Sequence, residues 1–335
     1  MYSDTHNYVV IGSNSFSGSD FIDYILRTKP RSTIECISRS PLKSPVFIPY
    51  LMNQNYDPDR CRFHRLDLNY DTMDIAAIIT DAMPCYVINF ASQSEVSPSW
   101  DTPGDWYQTN CVAIADLITM LRDETGIIKY LHISTPEVYG SCTGNVTEDY
   151  PHNPSTPYAA SRAASEVFLN LMKREYNFPV VMVRSTNVYG AHQQLWKIIP
   201  RTIINLKLGK TIQLHGGGTQ VRQFIHIRDV SRAEMLVLYG GSNVYNISPS
   251  VSVTIAGIVN TVCTIMGYDM DRYTTIVPPR RGSDNTYTLD SSRLRNELRW
   301  SDQVDIRYGI EEAIMWVEDN WDEIQQCDME YIHLS

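Results

Sequence analysis

Six short apolar runs, at residues 8–11, 33–37, 61–66, 85–90, 130–133 and 179–183, recur through the first half of the chain, and helical patterns lie between most of them. Phe21, Ile22, Ile25 and Leu26 share one helix face. Met73 to Ile79, then Ile114, Leu117, Ile118 and Leu121, then Val167, Phe168, Leu171 and Met172 repeat that spacing. A strand that returns through a helix pairs parallel to its predecessor, and a parallel sheet needs helices on both faces. The alternation therefore restricts the chain to the α/β class. Six or more strands fit a doubly wound parallel sheet, which holds dinucleotides at the carboxyl ends of its strands.

After Arg184 the alternation becomes irregular. Helical runs at 196–208, from Asp229, at 255–266 and at 310–324 are mixed with short strands at 211–214 and 223–227 and with the glycine loop Gly216-Gly217-Gly218. We read this as a smaller α/β substrate lobe interleaved with a Rossmann domain: residues 1–190 and 223–250 for the cofactor, 191–222 and 251–335 for the substrate. Between 37 and 61, Pro41, Pro45, Pro49 and Pro58 mark a surface loop with one helical turn. A formal net charge of −10 argues against a nucleic-acid partner, so an anionic ligand needs a local cationic cluster. Seven cysteines without a CxxC pair read as reduced thiols. No apolar run reaches the roughly 18 residues of a membrane span, and MYSDTHNYVV lacks the layout of a signal peptide. The expectation is a cytoplasmic protein.

The first chemical signal is Gly12-Ser-Asn-Ser-Phe-Ser-Gly18, between the first strand and the first helix. In a dinucleotide fold this turn, with Gly12, Asn14, Ser15, Phe16 and Gly18, brings backbone N–H groups and a helix N-terminus to a pyrophosphate. Ser15 takes the middle glycine place, and a ligand-free strand-to-helix turn would look similar. An acidic residue ending the second strand would select NAD. This chain has Ser38-Arg39-Ser40 instead, which suits a 2′-phosphate and favours NADP over NAD. Asp67-Leu68, closing the third strand, falls near the adenine.

The second signal runs from His132 to Glu166. Thr135 and Glu137 emerge from one strand end, and Tyr158 and Arg162 lie one turn apart on the following helix. A tyrosine beside a permanent cation can have its pKa lowered and serve as a base near neutrality. Singly, each residue has a bland reading as a surface pair, a loop acid or a turn former. Chance accounts poorly for all four in register after a dinucleotide turn.

These pieces together resemble the extended short-chain dehydrogenase/reductases of the nucleotide-sugar branch, closest to the sugar-nucleotide 4,6-dehydratases. The resemblance includes Thr109-Asn110, Ser134-Thr-Pro-Glu-Val-Tyr-Gly140, Pro157-Tyr-Ala-Ala-Ser-Arg162, Arg184-Ser-Thr-Asn-Val-Tyr-Gly190, Gln220-Val-Arg-Gln-Phe-Ile-His226 and Arg280-Arg-Gly-Ser-Asp-Asn-Thr-Tyr287. It implies transient oxidation at the sugar C4, with Tyr158 as base and Thr135 on the same oxygen. Glu137 would then take the C5 proton, water would leave C6, and hydride would return there. By the same resemblance Asn187, Lys197, Arg222 and Arg280 would grip the diphosphate and nucleotide, Glu95 would face the sugar, and the Asn110 and Tyr158 helices would form a homodimer interface. Three departures stand out. Arg162 replaces the family's lysine, whose ammonium a planar fork does not reproduce. Pro136 stands where glucose-type enzymes carry an aspartate; the mannose type lacks that aspartate too, so Pro136 moves the resemblance towards it. The loop Ala91-Ser-Gln-Ser-Glu-Val-Ser97 is altered and points to an unusual sugar. A 4-epimerase, a uronate decarboxylase, a C4 oxidase and a non-catalytic cofactor-binding protein remain as rival readings.

Overall fold

The computed structural model describes residues 5–142, 144–279, 288–331 and 333. All six expected strands are present, as β1 (Asn7–Ile11), β2 (Thr33–Ser38), β3 (Cys61–Arg65), β4 (Cys85–Asn89), β5 (Ile127–Ser134) and β6 (Val180–Ser185). A seventh, β7 (Val244–Ile247), was not among them. The sheet runs β3-β2-β1-β4-β5-β6-β7, and every pair is parallel. Strand order reverses between β1 and β4, and such a switch point opens a crevice at the carboxyl ends.

Side chains alternate across β1. Tyr8 and Val10 enter one core with α1 (Phe16–Thr28) and a late helix, Ile227–Gly240. Val9 and Ile11 enter the other, with α2 (Thr72–Asp81) and α3 (Ala113–Leu121). Leu169, on α4 (Pro157–Tyr176), joins that second core. With α4 placed, the Ile227–Gly240 helix is α5. A third core fills the lobe between the helices Ile198–Lys207, Ile255–Met266 and Ile306–Asp319. The expected helical run at 310–324 is two pieces, Ile306–Asp319 and Trp321–Ile324, parted at Asn320. Leu294 and Trp300 pack back into the first core rather than the lobe's.

The helix that carries Tyr158 and Arg162 is set by its own ends. Thr156 caps α4, its Oγ1 accepting from Ala159 N at 3.1 Å, and Pro157 sits at the first turn, where no N–H is needed. Asn177 closes the helix in the left-handed conformation, φ 54°. All seven cysteines are free thiols. Among the described residues no helix is long and apolar enough to cross a membrane.

Candidate active site

The glycine turn folds as a cradle. Gly12 has φ 87°, and a Cβ there would lie 2.6 Å from Ala91 N on the loop after β4, so only glycine lets the two loops meet. Ser15, in the middle glycine's place, caps α1, its Oγ accepting from Gly18 N at 3.0 Å. Asn14 Nδ2 ties the turn to the loop after β2 by donating to Ser40 O at 3.1 Å and Pro41 O at 2.9 Å. Asn14 Oδ1 and Ser13 Oγ are buried with no partner among the described residues. A cavity of about 280 Å³ opens here, lined by Gly12, Asn14, Ser15, Ser38, Arg39, Asp67 and Leu68, all expected at a dinucleotide. Lys43, unforeseen, joins them and donates to Asn14 O at 3.2 Å. Its signal was a second basic residue four positions after Arg39, hidden by the proline-rich loop.

A second cavity, about 460 Å³, continues from Ser15 and Phe16 to Thr135, Tyr158 and Arg162, and on to Asn187, Lys197 and Arg222. The spacing of the sequence motifs thus becomes one wall. Thr135 directly follows β5 and caps the short turn Pro136–Tyr139, its Oγ1 accepting from Glu137 N at 3.3 Å. Thr135 also hydrogen-bonds the Tyr158 phenol. Glu137, half-buried, is not in the cavity wall but lies close enough to act on Tyr158 electrostatically. Asn110, in a π-helical turn between residues 108 and 112, is buried. It grips Gln93 N and O and donates to Ser161 Oγ at 3.0 Å, fixing the altered loop to α4.

One expectation is corrected. Tyr158 does not have a lowered pKa in the free protein: burial and the Glu137 charge push it up to about 12, against the pull of Arg162 and Thr135. The helical spacing does bring the cation to the phenol, but Arg162 is itself only 2% exposed, and desolvation outweighs it. Arg162 Nη1 is buried without a partner among the described residues. The orphaned Arg162 donor, the Ser13 hydroxyl and the glycine cradle fit a group rich in acceptors, such as the diphosphate of a dinucleotide, and the Asn14 oxygen, an acceptor, fits a hydroxyl such as its ribose offers.

A third cavity, about 280 Å³, lies on the lobe side between Trp196, Lys197, Arg201, Asn205, Gln213 and Arg222. Glu95 joins its wall and accepts from Lys197 Nζ at 2.6 Å and Trp196 Nε1 at 3.0 Å. Trp196 was missed because its signal, an aromatic beside Lys197, also reads as helix packing. Arg280 lies outside the described residues.

Residues 9–313 match the protein family described as GDP-mannose 4,6 dehydratase. The dTDP-glucose 4,6-dehydratase of Streptomyces niveus is 32% identical over 336 residues, 96% of this chain and 96% of its own. That of Haemophilus influenzae is 30% identical over 334 residues, 92% of this chain and 97% of its own. The dTDP-glucose 4,6-dehydratase structure from Streptomyces venezuelae, solved with NAD bound, has a TM-score of 0.86 at 29% identity, covering 94% of this chain and 98% of that one. The family match starts in β1 and ends in Ile306–Asp319, so it takes in both the sheet-side and the lobe-side walls of these cavities, and the chain belongs to the GDP-mannose 4,6-dehydratase family, among the nucleotide-sugar 4,6-dehydratases.

Proposed function

We propose that the protein is a nucleotide-sugar 4,6-dehydratase that converts a nucleoside-diphosphate hexose to its 4-keto-6-deoxy product and water. The observation that carries this is the single wall formed by Thr135, Tyr158 and Arg162, with Glu137 close enough to act on the phenol. Gly12, Ser15, Phe16 and Gly18 would hold the dinucleotide diphosphate, and Arg162 the nicotinamide ribose. The chemistry a bound nicotinamide supplies is hydride acceptance from C4, its return at C6, and, while oxidised, a positive charge beside the phenol. Tyr158 takes the C4 hydroxyl proton, and Thr135 holds the same oxygen. Glu137 takes the C5 proton once the C4 ketone has acidified it. Pro136 has no proton to give, so the proton on Glu137 is the one available to the departing C6 hydroxyl. Hydride leaves and returns, hence the reaction has no net redox change.

Arg39, Ser38 and Lys43 surround the adenosine end of the first cavity and support a preference for NADP, whose 2′-phosphate needs charge-assisted bonds. Asn187, Lys197 and Arg222 line the path to the lobe cavity and suit a diphosphate, with Glu95 at the sugar. Residues 1–190 and 223–250 serve the cofactor, and 191–222 and 251–335 the nucleotide sugar. Val112 and Met120 before and on α3, and Val167 and Leu171 on α4, are exposed apolar side chains suited to a homodimer interface. The setting of the reaction is the cytoplasm.

The test is incubation of the purified protein with a panel of nucleotide hexoses, followed by mass spectrometry. Loss of one water without net cofactor reduction is expected; unchanged mass with inverted C4 would replace dehydration by epimerisation. Titration of the same preparation with NADP and NAD checks the preference, which equal affinities would remove.

A further inference from the structure

Glu234 lies two turns into α5 and is 0% exposed. Neither of its carboxyl oxygens has a hydrogen-bond partner among the described residues. It is nonetheless a wall residue of the cavity that holds Tyr158 and Arg162, on the side formed by Ser15, Phe16, Ser17 and Val230. The acid that acts on it, Asp20 on α1, is engaged elsewhere, accepting from Ser231 Oγ at 2.6 Å. A helix-face glutamate with this burial and no cation beside it keeps its proton. Burial first, and the charge of Asp20 second, hold it well above the usual carboxylate range.

A neutral carboxyl offers an O–H donor and a carbonyl acceptor in one plane. That is the complement of a primary carboxamide, whose oxygen accepts the O–H while its N–H donates to the carbonyl. A diphosphate offers acceptors alone and would leave the Glu234 carbonyl unmatched. We propose that Glu234 is a specificity-determining residue that, as a carboxylic acid, binds the carboxamide at the nicotinamide end of the dinucleotide. The inference rests on the cofactor reading above and adds a contact on α5, outside the glycine turn and the tyrosine stretch. It also explains why the chain keeps a carboxyl at a buried position where leucine would pack without unmatched polar atoms.

The test compares wild type, Glu234→Gln and Glu234→Leu by calorimetric titration with oxidised NADP and with 2′-phospho-ADP-ribose, which lacks nicotinamide. Glu234→Leu is expected to bind NADP about tenfold more weakly and phospho-ADP-ribose unchanged, the loss of one to two hydrogen bonds. Glu234→Gln keeps a donor and an acceptor and restores most of the affinity. The ligand-side counterpart is the acetylpyridine analogue of NADP, which lacks the amide N–H. Wild type should bind it more weakly than NADP, and Glu234→Leu should not distinguish the two. Full NADP affinity in Glu234→Leu, equal losses for both ligands, or a wild type indifferent to the analogue overturns the inference while leaving the cofactor site intact. A wild type that binds no nicotinamide dinucleotide overturns the cofactor reading and this inference with it.

Discussion

Two arginines are buried to almost the same extent and act on the same carboxylate, yet they are opposites. Arg184, 3% exposed, sits on β6 and is satisfied. Its Nε donates to Glu166 Oε1 at 3.0 Å and its Nη2 to Glu166 Oε2, while Nη1 donates to Tyr139 OH and to Glu148 O at 3.2 Å. His152 Nε2 approaches Nη2 at 2.9 Å, and the guanidinium lies 4.7 Å from the Tyr139 ring centre. Arg162, 2% exposed, has an Nη1 with no partner among the described residues and faces the cavity. The satisfied arginine joins β5, the turn Pro136–Tyr139, α4 and β6, and so fixes where Thr135 and Tyr158 point. An incomplete shell is what sets Arg162 apart as the arginine proposed to bind a ligand.

The contrast makes unequal demands on substitution. Arg184→Met strips the buried Glu166 carboxylate of its bidentate arginine and leaves it Ser134 and His152; its partners at present hold it far below the usual range in spite of burial. We expect a loss of about 3–5 kcal/mol in urea unfolding. Arg162→Met removes a cation whose bonding is already incomplete, so its stability should stay within about 1 kcal/mol of wild type. Its effect should appear instead as an approximately tenfold fall in dinucleotide affinity. Equal loss of stability in both variants would break the distinction, since the orphaned atom would then mark no ligand.

What could be read from the sequence divides along the same line. Spacing placed Thr135, Tyr158 and Arg162 on one wall, because strand ends and helical turns have fixed geometry. The glycine turn was legible for the same reason. Burial was not legible. Glu234 reads as a solvated helix-face acid until α5 is packed against α1. Strand β7, Val-Tyr-Asn-Ile, is four residues long with a polar Asn246 in its centre. Asn246 Nδ2 donates to Val146 O at 3.1 Å, and its Oδ1 accepts from Tyr139 OH at 3.0 Å, contacts from distant chain that make the strand possible. Glu166 looked like any helix acid, although it anchors the arginine that orders the site.

The Tyr158 phenol is where spacing and burial compete, and its titration sharpens the comparison at the smallest scale. Its pKa in the fold, about 12, exceeds the ordinary 10.0. The native state therefore keeps its proton between those values while the unfolded chain loses it. The phenol's contribution to stability is constant below pH 10, falls as pH rises from 10 towards 12, and levels off above. In ¹³C-tyrosine spectra of the ligand-free protein, the resonance missing from Tyr158→Phe should not titrate below about pH 10, a bound set by the ordinary tyrosine pKa. Glu137→Gln removes a charge that raises the pKa and should move the midpoint down. Arg162→Met removes the charge that lowers it and should move the midpoint up. A midpoint near neutrality in the free protein would restore the reading from spacing alone. Shifts of opposite sign at a high midpoint would mean that activation of Tyr158 arrives with the bound ligands.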